Sequence, residues 1–422
     1  MRLTGASLAP LAERSFRLLW TGQVVSSLGD ALLPVALAFA VLRVGGGATD
    51  LGLILAASVL ARIVLLPVGG VWGDRLPRQW VMLASDVVRA AATLALAVLL
   101  IRGDARPWQL LVGSAVLGAA SAFFQPAATG LVAQTASPAR LQQANALMGL
   151  GRSATLVVGP VLSGGLVAGF GPGWIYAFDA ATFVGSAVSL AAVRVPDVRV
   201  GGRAGFLSEL AAGWTAAVRL PWYLLGISAA AIWNVAVSAF FVLGPVIASR
   251  SLGGAAAWGL VSASVAVGLV AGGVLALHWT PRRPLVVANL AVTPGALLPI
   301  ALIRPFPLVI VAMASALAFL GAAFMNAVWA ATMQRLIRAD LLARVGSLDW
   351  LLSFAAQPVG YAIVGPLADR TGSGATLIAA ALVMALPNTI VAFMPAVRAI
   401  DRSSSADDAA RGRRLDRTRS RQ

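Results

Sequence analysis

A chain of 422 residues that is 59% hydrophobic and only 11% charged has too few polar side chains to coat a soluble core, since soluble domains carry about 25% charge. Its formal net charge of +16 comes entirely from Arg, scattered through short gaps between apolar runs instead of gathered in a basic domain, which argues against nucleic acid as a partner. Cysteine is absent, which excludes a disulfide framework, a Cys-ligated metal and a thiol nucleophile.

The apolar runs are continuous and not alternating, so the expected class is an all-α integral membrane protein, not a barrel. About 20 apolar residues at 1.5 Å each cross the ~30 Å hydrocarbon layer. Twelve spans follow, at 18–42, 51–72, 80–101, 108–133, 141–169, 174–193, 223–248, 255–277, 285–303, 307–334, 345–368 and 374–397. The first lacks a convincing cleavage site and is expected to remain as a helix. The grouping gives an N-terminal six-helix bundle over 1–193, a linker over 194–222, a C-terminal six-helix bundle over 223–398 and a disordered tail over 399–422. In the linker, Phe206, Leu210, Trp214 and Val218 recur near helical spacing and suit a helix lying along the inner membrane face. With both termini inside, cytoplasmic segments hold about 23 Arg and the other side about six, as the positive-inside rule requires.

Three charges fall well inside spans. Asp30 lies about 18 Å above the start of span 1, Arg62 about 14 Å above the inner surface in span 2, and Arg152 about 16 Å into span 5. An unpaired charge near the midplane costs at least about 2.5 kcal/mol, so each should face the protein interior and Asp30 should have an Arg within reach. Two readings stay open: a structural ion pair, or a substrate or proton site at the bundle centre. Asp30 alone against Arg62 and Arg152 leaves the midplane net positive and favours a ligand with an anionic group. Gln125, Asn145, Asn234, Asn326, Trp329 and Gln357 sit at comparable depths and are cavity candidates, although amides serve helix packing equally well. Asp179 is read as a partner of its own helix dipole. In span 5, Gly159, Ser163, Gly164 and Gly165 form a smooth face for close helix approach, and Pro160 is expected to kink it. The single His278 is placed in a loop beside Arg282 and Arg283. With no nucleophile–base pair or metal-ligand cluster, no enzymatic activity, metal or cofactor is expected.

Twelve spans in two sets of six, with GGVWGDRLPRQ between spans 2 and 3, resemble the major facilitator superfamily at Gly70, Asp74, Arg75 and Arg78. Pro77 stands where that family usually has Gly, and Gln79 where it has a second base. SFRLLWTGQVVSSLGDALLP, ASDVVRA, FFQPAATGLVAQTASPARLQQANAL and FLSELAAGW are similar to the drug:proton antiporter family 3 branch, which contains enterobactin exporters and macrolide-efflux proteins. GPVLSGG resembles the antiporter motif, with Ser163 in place of a Gly. The resemblance implies alternating access, in which two halves rock about a midplane cavity. It further implies proton antiport of a hydrophobic or amphipathic small molecule (a drug, natural product or siderophore-like compound). Asp74 and Arg75 would lock the cytoplasmic side, with Arg78, Arg89 and the start of span 11 near Ser347 as candidates to meet Asp74. An importer or uniporter of the same fold, or a non-transporting scaffold or sensor, are the alternatives. Expected partners are the small-molecule substrate, protons and the lipid bilayer, for a monomer in the bacterial inner membrane.

Overall fold

In the computed structural model, residues 8–194, 214–215, 217–304 and 306–400 are described. Most of the linker helix expected at 194–222, the tail after 400 and the side chain of Asp74 lie outside the described residues. The described residues form helices and turns with no strand among them.

Among the described residues, twelve helices are long and apolar enough to cross a membrane. They are α1 Arg14–Arg43, α2 Ala48–Arg75, α3 Arg78–Arg102, α4 Pro107–Thr135, α5 Leu141–Phe170 and α6 Pro172–Ala192 in the first half. The second half contains α7 Pro221–Ile247, α8 Gly254–His278, α9 Pro284–Ile303, α10 Leu308–Leu336, α11 Arg344–Thr371 and α12 Ser373–Phe393. Several begin with Pro in the first turn, where its missing N–H has no intrahelical acceptor to lose. Two spans are interrupted. A 3-10 turn at Thr293–Ala296 breaks α9 around Pro294, and α11 breaks at Ala356 just before Pro358, where proline cannot donate to the preceding turn. His278 is the last residue of α8, not a loop residue, and its Nδ1 lies 2.9 Å from the Val274 carbonyl.

Large apolar side chains such as Leu277, Met313, Val309 and Phe170 point outward, as a lipid-facing surface requires and a water-facing one does not tolerate. The two halves meet along α2 against α11 and α5 against α8. Shifting each number by six turns the first pair into the second, which is a pseudo-two-fold relation between halves. The same repeat appears in the turns: Gly171 between α5 and α6 and Gly372 between α11 and α12 both have φ of +85°, which a residue with a Cβ adopts only under strain.

With twelve spans, α1 begins and α12 ends on one side, here the terminal face. Towards the opposite face the halves touch backbone to backbone. Gly52 of α2 leaves no room for a Cβ beside the Tyr361 carbonyl, nor Gly365 of α11 beside the Thr49 backbone. Gly164 of α5 and Gly259 of α8 do the same at the second contact. Thr49 Oγ1 also donates to Asp369 Oδ2 across the halves, at 2.6 Å. This end of the molecule is closed.

Candidate functional site

A cavity of about 680 Å³ lies between the halves. Its floor is formed by Ala38, Leu51, Pro160 and Trp258, below the closed contact, and its wall runs along α5 to Asn145, four residues from the terminal end of that helix. It therefore opens towards the terminal face. The two walls differ in chemistry. The charged and amide groups Gln23, Asp30, Gln125, Asn145 and Arg152 all come from the first half, beside apolar residues such as Leu51, Phe124 and Met148, whereas the second contributes mainly Phe241, Trp258, Val265, Leu269 and Tyr361.

Of the six cavity candidates, Gln125 and Asn145 line the cavity. The other four are not among its lining residues. Asn234 Nδ2 donates to the Ala230 carbonyl within its own helix, and Asn326 is on an exposed face. Trp329 Nε1 donates to Asp349 Oδ1 at 2.9 Å in a cluster with Trp222 and Tyr223. Gln357 bonds Tyr361 Oη at 3.0 Å, so it stands behind a residue that does line the cavity. Spans this apolar on every side give no period by which sequence could say which face an amide occupies.

Asp30 is 49% exposed to the cavity, and its nearest cation is Arg89 of α3, with Nη1 3.6 Å from Oδ2. Arg62 and Arg152 lie within electrostatic range of Asp30 and of each other. Arg89, one of three candidates to meet Asp74 at the terminal-face loop, lies instead in this cluster, which corrects that reading. It is eleven residues into α3, about 16 Å from the helix start, and 3% exposed. Its guanidinium hydrogen-bonds Asp86 one turn earlier and is held between the Phe124 and Phe183 rings at 4.1 and 4.4 Å. A buried guanidinium needs such neighbours, because removal from water without compensation costs several kcal/mol. Aromatic faces supply about 2 kcal/mol or more when desolvated.

Asp179 is likewise not a helix-terminus residue. It is fully buried, and its carboxyl packs against the α1 backbone at Gly29, where a Cβ would collide with it. The cluster thus holds three acids (Asp30, Asp86, Asp179) and three arginines (Arg62, Arg89, Arg152). The sequence reading of one acid against two arginines gains two further acids and one further arginine.

In α5, Gly159 packs on Ala31, Ser163 Oγ donates to the Leu32 carbonyl at 2.7 Å, and Gly164 meets α8. Gly165 departs from the expected smooth face: it is exposed, with open space where a side chain would stand. Pro160 lies within an unbroken helix, its carbonyl against Gly259. In the α2–α3 loop, Gly70 has open space beside it, and Gly69 makes the close approach, against the Ala122 carbonyl of α4. Arg75 is exposed, and the Arg78 guanidinium lies over Gly130 of α4. Gln79, the departure from the family motif, donates to the Leu190 and Val193 carbonyls at 2.7 and 2.9 Å and so caps the end of α6.

The profile described as Major Facilitator Superfamily matches residues 19–361. The chain is 28% identical to the multidrug efflux pump Tap of Mycolicibacterium fortuitum, over 95% of this chain and 100% of that protein. It is 24% identical to macrolide efflux protein A of Streptococcus pyogenes, over 89% of this chain and 96% of that one. Among solved structures, a peptide transporter POT in complex with sulfate matches with a TM-score of 0.73 at 14% identity, covering 92% of this chain and 95% of the other. The nucleoside transporter NupG matches at 0.71 and 11%, covering 89% and 98%. The two solved structures speak for the fold, and the profile match for the family. The chain belongs to the Major Facilitator Superfamily and is a multi-pass membrane transporter.

Proposed function

We propose that this chain is an efflux transporter that exchanges protons for a hydrophobic or amphipathic small molecule by alternating access. The observation that carries the reading is the two-faced cavity of about 680 Å³, with Asp30 exposed in it and ion-paired to a buried arginine. A ligand with an apolar body packs on Phe241, Trp258 and Tyr361 while its polar end meets Asp30, Arg152 and the amides opposite. The terminal face is cytoplasmic, in keeping with the arginine bias, so the cavity collects substrate from inside the cell. The efflux pumps among the relatives support the outward direction. Asp30 carries the coupling proton: as a carboxylate it is held by Arg89, and as a neutral carboxyl it releases that attraction. Closing the cytoplasmic mouth falls to the loop at Gly70, Asp74, Arg75 and Arg78, while α5 hinges at Gly159, Pro160 and Gly164.

The test is purified protein in proteoliposomes loaded with a fluorescent amphipathic dye or a macrolide, with an imposed pH gradient. Uphill substrate movement that an uncoupler abolishes is the expected result. Movement indifferent to the pH gradient overturns the antiport reading.

A further inference from the structure

We propose that Asp179 is a second proton-carrying group of the transport cycle, sealed behind Asp30 and exchanging a proton with it past α1. The inference rests on the proton-coupled reading above.

The groups facing this centre come from every helix around it. Asp30 is on α1, Arg62 on α2, Asp86 and Arg89 on α3, Arg152 on α5, and Asp179 and Tyr176 on α6. From α4 comes the Phe124 ring, which carries no charge. The set divides by access. Asp30 and Arg152 line the cavity with Arg62 in range, so Asp30 has cations and water on its side. Behind it, Arg89 is 3% exposed, and Asp86 and Asp179 are fully buried.

On the sealed side one cation faces two acids. Arg89 is fixed between two rings, hydrogen-bonded to Asp86 on its own helix and 3.6 Å from Asp30, so two other acids already share its charge. Asp179 makes no ion pair, and Arg89 is the cation within electrostatic range of it. Thr182 Oγ1 lies 3.3 Å from its Oδ1, and its Oδ2 has no hydrogen-bond partner. A fully buried carboxylate with an unpartnered oxygen is among the costliest arrangements in a membrane interior, and a bound proton removes the charge. Gly29 supplies the contact, since only the absence of a Cβ lets the Asp179 carboxyl lie against α1 one residue before Asp30.

The step moves a single proton. The O–H bond of Asp179 breaks as one forms on an Asp30 carboxylate oxygen, so the negative charge passes from the cavity side to the sealed side. Asp30 then loses that proton to the cavity while it opens to one face, takes up another when the cavity opens to the other face, and passes it back to Asp179, which completes the exchange. Asp86 and Arg89 stay paired throughout.

The full-length protein is labelled with ¹³C-aspartate, reconstituted, and examined by infrared spectroscopy near neutral pH, alongside dye-driven proton release in vesicles. The expected result is a protonated-carboxyl stretch that shifts in deuterium oxide and disappears in Asp179→Asn, with dye binding kept and proton release lost. Wild type without any dye-driven proton release sinks the antiport reading and this inference together. Release that Asp30→Asn loses but Asp179→Asn retains overturns this inference alone. Should Asp179→Asn fail to assemble, the unmodified protein decides, because a spectrum with no protonated carboxyl near neutral pH refutes the proposal.

Discussion

Gly164→Val is a wedge aimed at the closed end. A Cβ on Gly164 stands 2.6 Å from the Ala255 carbonyl oxygen, 3.0 Å from Gly259 Cα and 3.2 Å from Ala256 Cα. All three are backbone atoms of α8, so no side chain can swing aside, and the helices themselves must part. Overpacking of this kind costs about 1–3 kcal/mol. It applies only while α5 and α8 touch, so it lowers the ratio of closed to open at that end by about 5–150-fold. The chain has no native cysteine, so spin labels go only where they are placed. One pair, at Asp104→Cys and Ser251→Cys, spans the closed end. A second, at Ala139→Cys and Arg282→Cys, spans the terminal face. In Gly164→Val the first distance should lengthen and the second shorten, while Gly165→Val, facing open space, leaves both unchanged. Unchanged distances in both variants refute the reasoning that this glycine contact holds the end closed.

Thr49→Val removes the 2.6 Å bond to Asp369 across the halves. A smaller opening of the same label pair is expected, corresponding to about 0.5–1.5 kcal/mol. Asp86→Ala leaves Arg89 buried without its hydrogen-bonded acid, and thermal unfolding in detergent should report a loss of about 3–5 kcal/mol. At the terminal face, Glu13 accepts from the Ser137 hydroxyl and amide at 2.9 Å and from Arg140 at 3.2 Å. The Ser137 hydroxyl, followed by its amide and Arg140, holds the Glu13 carboxyl below the ordinary glutamate value of 4.5, against the opposing effect of burial. Its folded-state value is the depressed one, so the tether is complete above pH 4.5 and weakens as pH falls through the folded value. Hydrogen exchange at the Ser137 amide should quicken across that acidic window, beyond the intrinsic pH dependence of exchange, in wild type and not in Glu13→Gln.

The helices were legible because membrane depth sets length and continuous apolarity marks it: 80–101 became Arg78–Arg102, and 141–169 became Leu141–Phe170. The breaks in α9 and α11 had their signal in Pro294 and Pro358 but fell within runs that were apolar throughout. Asp30 and its need for an arginine were legible from depth alone. The identity of that arginine was not, since the reach of Arg89 from α3 to Asp30 on α1 is a tertiary fact. The depth rule that singled out Asp30 applies equally to Asp86 and Arg89, eight and eleven residues into their span, and would have found them. For Asp179 depth was visible, but nothing in the sequence says that Gly29 lies opposite. Gln125 and Asn234 are alike in type and depth, yet only the first faces the cavity, because which face a residue occupies is set by the neighbouring helices.

The account's central claim is that Asp30, exposed in the cavity and paired to Arg89, couples proton movement to substrate export. Asp30→Asn tests it most directly in proteoliposomes, with uphill accumulation and substrate counterflow measured on the same preparation. The account predicts that counterflow persists while accumulation driven by the pH gradient is lost. Accumulation at the wild-type level would contradict it.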